Sequence, residues 1–141
     1  MPARPRSSPV RRLVGLLSPL LLVTVGVVHL LPVTGMSGPE ALRRLYGTNL
    51  TDPDVVVLMR HRAALFLCVG GLLIGAARWS EWRFPAILIG VVSVGSFLVI
   101  VGQSDEVGPE LSRIAAVDRA ALGALLTAAV IESGHRAGRA T

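Results

Sequence analysis

Long charge-free runs broken by short polar clusters organise the chain. Leu13 to Val33 gives 21 residues without a formal charge, long enough as an α-helix to cross a hydrocarbon core about 30 Å thick. Phe84 to Gln103 gives another 20. Between them, Pro53 to Ala77 is apolar but interrupted by Arg60-His61-Arg62, and its charge-free part, Ala63 to Ala77, has only 15 residues. A final run from Leu111 to Ile131 is interrupted by Asp118 and Arg119, with 12 charge-free residues after them. The pattern predicts an all-α membrane protein with four transmembrane helices at about 13–33, 53–77, 84–103 and 111–131, a basic arm over 1–12 and a polar tail over 132–141. A cleaved signal peptide has a shorter apolar region, about 7–15 residues, and a small-residue cleavage site. The first run is longer, and Val33-Thr34-Gly35 is a poor match, so it reads as a retained span. Pro19 inside it is tolerated in a membrane helix, with a kink expected.

The connection over 34–54 has local signals of its own. Ser37-Gly38-Pro39-Glu40 has capping-box spacing, with Ser37 as cap and Glu40 reaching back. A short amphipathic helix over Ala41–Tyr46 follows, and Gly47 suits its stop. Asp52-Pro53 restarts a helix, Asp as N-cap and Pro at the first position. Trp79 and Trp82 flank the turn between the second and third spans, as in an interfacial belt. Gly70, Gly71 and Gly75 on the second span, and Gly90, Ser93, Gly95 and Ser96 on the third, read as small-residue packing faces.

Composition agrees with this layout: 52% hydrophobic, 16% charged and mean hydropathy +0.63 exclude a disordered tail and argue against a soluble domain. The net charge of +5 comes from 14 arginines, no lysine and nine acids. The arginines sit at the ends of apolar runs, where they set topology rather than bind nucleic acid. Eight fall in the arm, the second turn and the tail, against Arg43 and Arg44 in the first connection. The positive-inside rule then places both termini in the cytoplasm of a multi-pass cell-membrane protein, with the amphipathic helix outside. The all-arginine usage suggests a GC-rich bacterial genome, so Asn49-Leu50-Thr51 is read as a chance glycosylation sequon. The single Cys68 excludes an internal disulfide or a CxxC pair and reads as a buried inert thiol.

The polar interruptions are the candidate chemistry. Counted from the cytoplasmic end of each span, His29 lies 17 residues up, Arg62 and Arg60 16 and 18, and Asp118 14. At 1.5 Å per residue these are about 21–27 Å above the inner boundary. His29, Arg60, His61, Arg62 and Asp118 therefore form one layer in the outer half of the bilayer. Buried charges are costly unless paired, so Asp118 is expected to pair with Arg60 or Arg62. The other arginine of that pair, with Arg113 and Arg119, would snorkel outward. Glu40 or Tyr46 would cap the cluster from the external helix. Three readings follow: structural glue between the second and fourth spans, a pocket for an anionic headgroup, quinone or other amphiphile, or snorkelling without helix contact. His29 and His61 could in principle ligate a haem iron, but two histidines make a weak pattern. No third ligand type stands at zinc spacing, and nucleotide loops, G-x-S-x-G and H-E-x-x-H are absent. No cofactor or metal is expected.

His29-Leu30-Leu31-Pro32, Leu45-Tyr46-Gly47, Asp52-Pro53 and Leu58-Met59-Arg60-His61-Arg62-Ala63, with Val92-Ser93-x-x-Ser96-Phe97 and Arg113…Asp118, resemble a group of small four-span bacterial membrane proteins. The resemblance covers most of residues 13–131, and its most specific part is Arg60-His61-Arg62-Ala63. The chain is more loosely similar to DoxX-like four-helix membrane proteins. Members of the first group are often labelled phosphopantetheine adenylyltransferase, a label these residues do not support: the α/β fold and the HxGH-type phosphate motif of that enzyme are missing. The resemblance implies a four-helix fold and no established activity. The expected function is a non-enzymatic accessory or lipid-interacting module, able to associate with itself or another membrane protein. The alternatives are a quinone- or cofactor-linked oxidoreductase component, from the DoxX-like similarity, and a small oligomeric transporter.

Overall fold

The computed structural model describes residues 9–140. They form α1 (Pro9–Leu30), α2 (Pro39–Tyr46), α3 (Pro53–Arg78), α4 (Arg83–Gly102) and α5 (Pro109–Ala140). Single 3-10 segments, Leu31–Ser37 and Ser80–Trp82, join α1 to α2 and α3 to α4. Four stretches, Val14–Ser37, Pro53–Arg78, Ser80–Gly102 and Pro109–Ala137, are long and apolar enough to cross a membrane. The protein is an all-α four-helix bundle of the integral membrane type, and α2 lies across one end. The arm residues Arg4 and Arg6 lie outside the described residues.

Heptad-like stripes decide which side of each helix turns inward. On α1 the buried positions are Ser18, Leu22, Val25 and His29, spaced 4, 3 and 4 and so on one helical face. On α5 the inward stripe is Ala115, Asp118, Ala121, Leu125, Ala128 and Glu132, all buried except the half-buried Asp118. Leu22, Val25, Leu73, Ile87, Val94 and Leu125 fill the centre. Large apolar side chains such as Leu16, Leu58, Leu88 and Val130 point outward, where the solvent is lipid and no polar face is required.

The most extensive helix contact is between α1 and α3, and two glycines permit it. A Cβ on Gly26 would stand 2.9 Å from the Gly70 carbonyl oxygen, and one on Gly70 would stand 2.8 Å from that of Gly26. Small residues let backbones approach where lipid supplies no hydrophobic drive between helices. Gly90 packs 3.1 Å from Leu125 by the same measure, whereas Gly71 and Gly95 face open space. Of the expected packing faces, Gly70 and Gly90 therefore serve as contacts.

Helix ends follow their signals with one exception. The Asp52 carboxylate accepts from the Asp54 N–H at 2.9 Å, and Gly47 closes α2 in the left-handed conformation (φ +67°) with its N–H on the Arg43 carbonyl. The capping box does not form. Gly38 (φ +133°) is the N-cap of α2 and no side chain caps it, while Ser37 ends the preceding 3-10 segment. Glu40 turns the other way, accepting from Arg43 at 2.9 Å and Arg44 at 3.1 Å. Two cationic partners at i+3 and i+4 outcompete a neutral backbone N–H.

α5 runs past the expected span to Ala140, and Glu132 continues its inward stripe and finds a buried partner. One further expectation is corrected. Cys68 is exposed on the outer surface of the bundle, about 200° around α3 from the buried Gly70. α1 carries Pro19 as one continuous helix.

Candidate functional site

At the α2 end, all five helices enclose a cavity of about 180 Å3. Its polar lining is His29 from α1, Tyr46 from α2, Arg62 from α3, Ser93 from α4 and Asp118 from α5. The rest is apolar, with Leu31, Pro32 and Leu45 as its roof and Val117 and Val94 among its walls. The roof is held by close fits: Leu42 is fully buried and lies against Gly35, where a Cβ would stand 2.8 Å from its Cδ2. Gly47 meets the Glu110 carboxylate in the first turn of α5.

His29 is the best-defined member. It is 3% exposed, and its Nδ1 lies 2.9 Å from the Val25 carbonyl. A carbonyl only accepts, so Nδ1 carries the proton, and in the neutral ring Nε2 is left as an acceptor. That Nε2 is buried and has no hydrogen-bond partner. The ring is fixed edge-on against Phe66 at 5.7 Å between centroids.

Arg62 is held by rings rather than by a carboxylate. Its guanidinium carbon lies 5.6, 5.0 and 5.5 Å from the ring centroids of Tyr46, Phe66 and Phe97, within cation–π range. The expected ion pair is absent: among the described residues the only ion pairs are those of Glu40 with Arg43 and Arg44 and of Arg83 with Glu132. Arg60 is drawn elsewhere, donating from Nε to the Met36 carbonyl at 2.9 Å. The reason is angular. Arg60 and Arg62 differ by about 200° around α3, so one faces the 3-10 segment and the other the bundle. Asp118 faces the same cavity as Arg62 but is close enough to neither arginine for an ion pair.

The structure thus brings together His29, Arg62 and Asp118, three of the five residues of the polar layer, and leaves Arg60 and His61 out of the cavity. His61 is exposed and lies outside the lining of the cavity that His29 helps form. Tyr46 does cap the cluster; Glu40 does not, being exposed and engaged with its own arginines. Those arginines hold the Glu40 carboxyl down at about 2. Burial pushes the Tyr46 phenol up, and the Arg62 charge partly offsets it. Arg113 and Arg119 are exposed. Among the described residues no group of three or more His, Cys, Asp or Glu converges as metal ligands.

Sequence reasoning missed the ion pair that does tie helices together. Arg83 Nη1 donates to Glu132 Oε1 at 3.0 Å, with the two side chains 16% and 9% exposed. Arg83 also donates to the Ala76 and Ala77 carbonyls at 3.2 and 3.3 Å, groups the last turn of α3 leaves unsatisfied. The available signal was the 3-and-4 spacing from Asp118 through Leu125 to Glu132. Comparison with protein-family models, curated proteins and solved structures finds no match.

Proposed function

We propose that this integral membrane protein is a lipid-interacting accessory module whose α2-end cavity holds the polar head of one membrane amphiphile. The observation that carries this is the unpartnered Nε2 of His29. A buried polar atom left unsatisfied costs about 1–3 kcal/mol, and a guest that donates to it removes that cost. The structural-glue reading needs the cluster to be consumed by bonds within the protein. Instead Arg62, Asp118 and His29 Nε2 all keep bonding capacity facing the cavity, and the helix-tying ion pair lies at the other end of the bundle. The arginine distribution supports cytoplasmic termini and, with them, a cavity on the outer-leaflet side. The resemblance to small four-span bacterial proteins agrees with this reading and adds no activity to it.

Native mass spectrometry tests the proposal. Wild-type protein released from detergent should carry one amphiphile per chain, and His29→Phe should lose it while keeping its melting temperature within a few degrees. Wild-type protein that always flies bare would mean that water fills the cavity, and the proposal would fall.

A further inference from the structure

We infer that the guest is a single-chain lipid with a neutral head carrying a carbonyl and two hydroxyls, the chemistry of a long-chain glycerol monoester, and that its tail lies in the groove between α3 and α4. This rests on the amphiphile reading above and specifies its chemistry and route.

The route follows from two cavities that share a wall. A groove of about 420 Å3 opens on the α3–α4 surface and shares Arg62, Phe66 and Ser93 with the inner cavity. Its lining on α3 is Arg62, Leu65, Phe66 and Val69, and on α4 Ser93, Ser96, Phe97 and Ile100. Both sets follow i, i+3, i+4, i+7 spacing, one continuous stripe on each helix. The helices are antiparallel neighbours, so Ile100 stands level with Arg62, and Ser93 with Val69. Seven residues give the groove about 10 Å of axial length. Alongside the polar cavity, with which it shares Ser93, it runs from Arg62 and Ile100 at the α2 end to Val69 and Ser93 toward mid-membrane, the direction an acyl chain takes when its head sits near that surface. Arg62 stands where head and tail would meet, its guanidinium between the rings of Phe66 and Phe97.

The head chemistry follows from what the cavity presents. Arg62 brings one positive charge and Asp118 one negative. An anionic head would gain from Arg62 and be opposed by Asp118 in a low-dielectric site, where like charges repel strongly. A neutral head satisfies both. Its carbonyl accepts from the Arg62 guanidinium, which donates to no acceptor among the described residues, and its hydroxyls donate to His29 Nε2 and Asp118. Size agrees: 180 Å3 is the liquid volume of about six waters, enough for one glyceryl unit. One groove accommodates one chain.

The test uses full-length protein in detergent, titrated with 1-monooleoylglycerol or with the anionic single-chain oleoyl-lysophosphatidylglycerol and read by native mass spectrometry. The wild type should prefer the glyceride at least tenfold. Asp118→Asn should raise binding of the anionic probe at least tenfold, a change in selectivity that mere structural support would not produce. Val69→Trp, which fills the deep end of the groove, should weaken the glyceride tenfold at unchanged melting temperature. If that variant does not fold, Ile100→Trp at the other end gives the same readout. Preference for the anionic probe, or neither probe bound by protein that purifies with an amphiphile, overturns this inference and leaves the amphiphile reading standing. Glyceride binding that neither groove variant nor His29→Phe changes is a lipid-belt adduct and overturns it too. No adduct and no probe bound overturns both.

Discussion

Removing Glu132 should cost more than any other single charge deletion among the described ion pairs. Its carboxylate meets Arg83 at 3.0 Å with both side chains largely shielded, so Glu132→Leu leaves a guanidinium facing the core. Removing one partner of a buried pair costs about 3–5 kcal/mol because the remaining charge is uncompensated. Arg83 keeps the carbonyls of Ala76 and Ala77, which lowers the expected loss to about 2–3 kcal/mol. Trp79 and Trp82, 5.3 Å apart in the adjoining turn, provide a fluorescence reporter at the same end of the bundle. Melting of wild type, Glu132→Leu, Arg83→Met and the double variant closes a thermodynamic cycle. The coupling should be about 1–3 kcal/mol, and the double variant should recover much of the loss, since apolar replacement of a buried pair is often neutral. A coupling below about 0.5 kcal/mol, the range of exposed pairs, would refute the claim that this contact fastens α4 to α5.

Gly70→Ala should lower stability by about 1–3 kcal/mol through overpacking at the α1–α3 crossing, while Gly71→Ala, facing open space, should not; equal melting of the two variants would contradict the close approach. Glu40 is ionised well below its ordinary range by Arg43 and Arg44. Its support of α2 is therefore complete above about pH 4.5, where an unperturbed glutamate ionises, and is lost as pH falls toward about 2. Amide exchange in α2 should accelerate across that window in wild type and not in Glu40→Gln, and parallel behaviour of the two would refute the assignment. Arg60→Ala should accelerate amide exchange in the 3-10 segment around Met36 by removing the 2.9 Å bond that ties the segment to α3, and unchanged protection there would contradict a stabilising role for that bond.

The four helices were legible because lipid-crossing length and charge-free composition are one-dimensional properties. The cap at Asp52 and the stop at Gly47 were legible because each depends on residues a few positions apart. The Ser37 cap failed for a local reason: Arg43 and Arg44 claim Glu40. The polar layer was only partly legible. Depth along a span is countable, and it placed His29, Arg62 and Asp118 at one level. Azimuth decides which side chains meet, and it sends Arg60 to the Met36 carbonyl and His61 to the surface. The absence of an Asp118–arginine pair follows from three rings surrounding Arg62, supplied by α2, α3 and α4, a convergence no spacing encodes. A charge at the end of an apolar run usually marks a boundary, so Glu132 reads in the sequence as the start of a tail, yet its heptad step from Leu125 points it inward.

The most direct measurement of the central claim is 15N NMR of the His29 imidazole in lipid nanodiscs, assigned by comparison with His29→Phe. Nδ1 should be protonated and Nε2 an acceptor, and the Nε2 resonance should move when the co-purifying amphiphile is stripped and return when it is restored. An Nε2 resonance identical in both states would contradict a cavity built to hold a polar head.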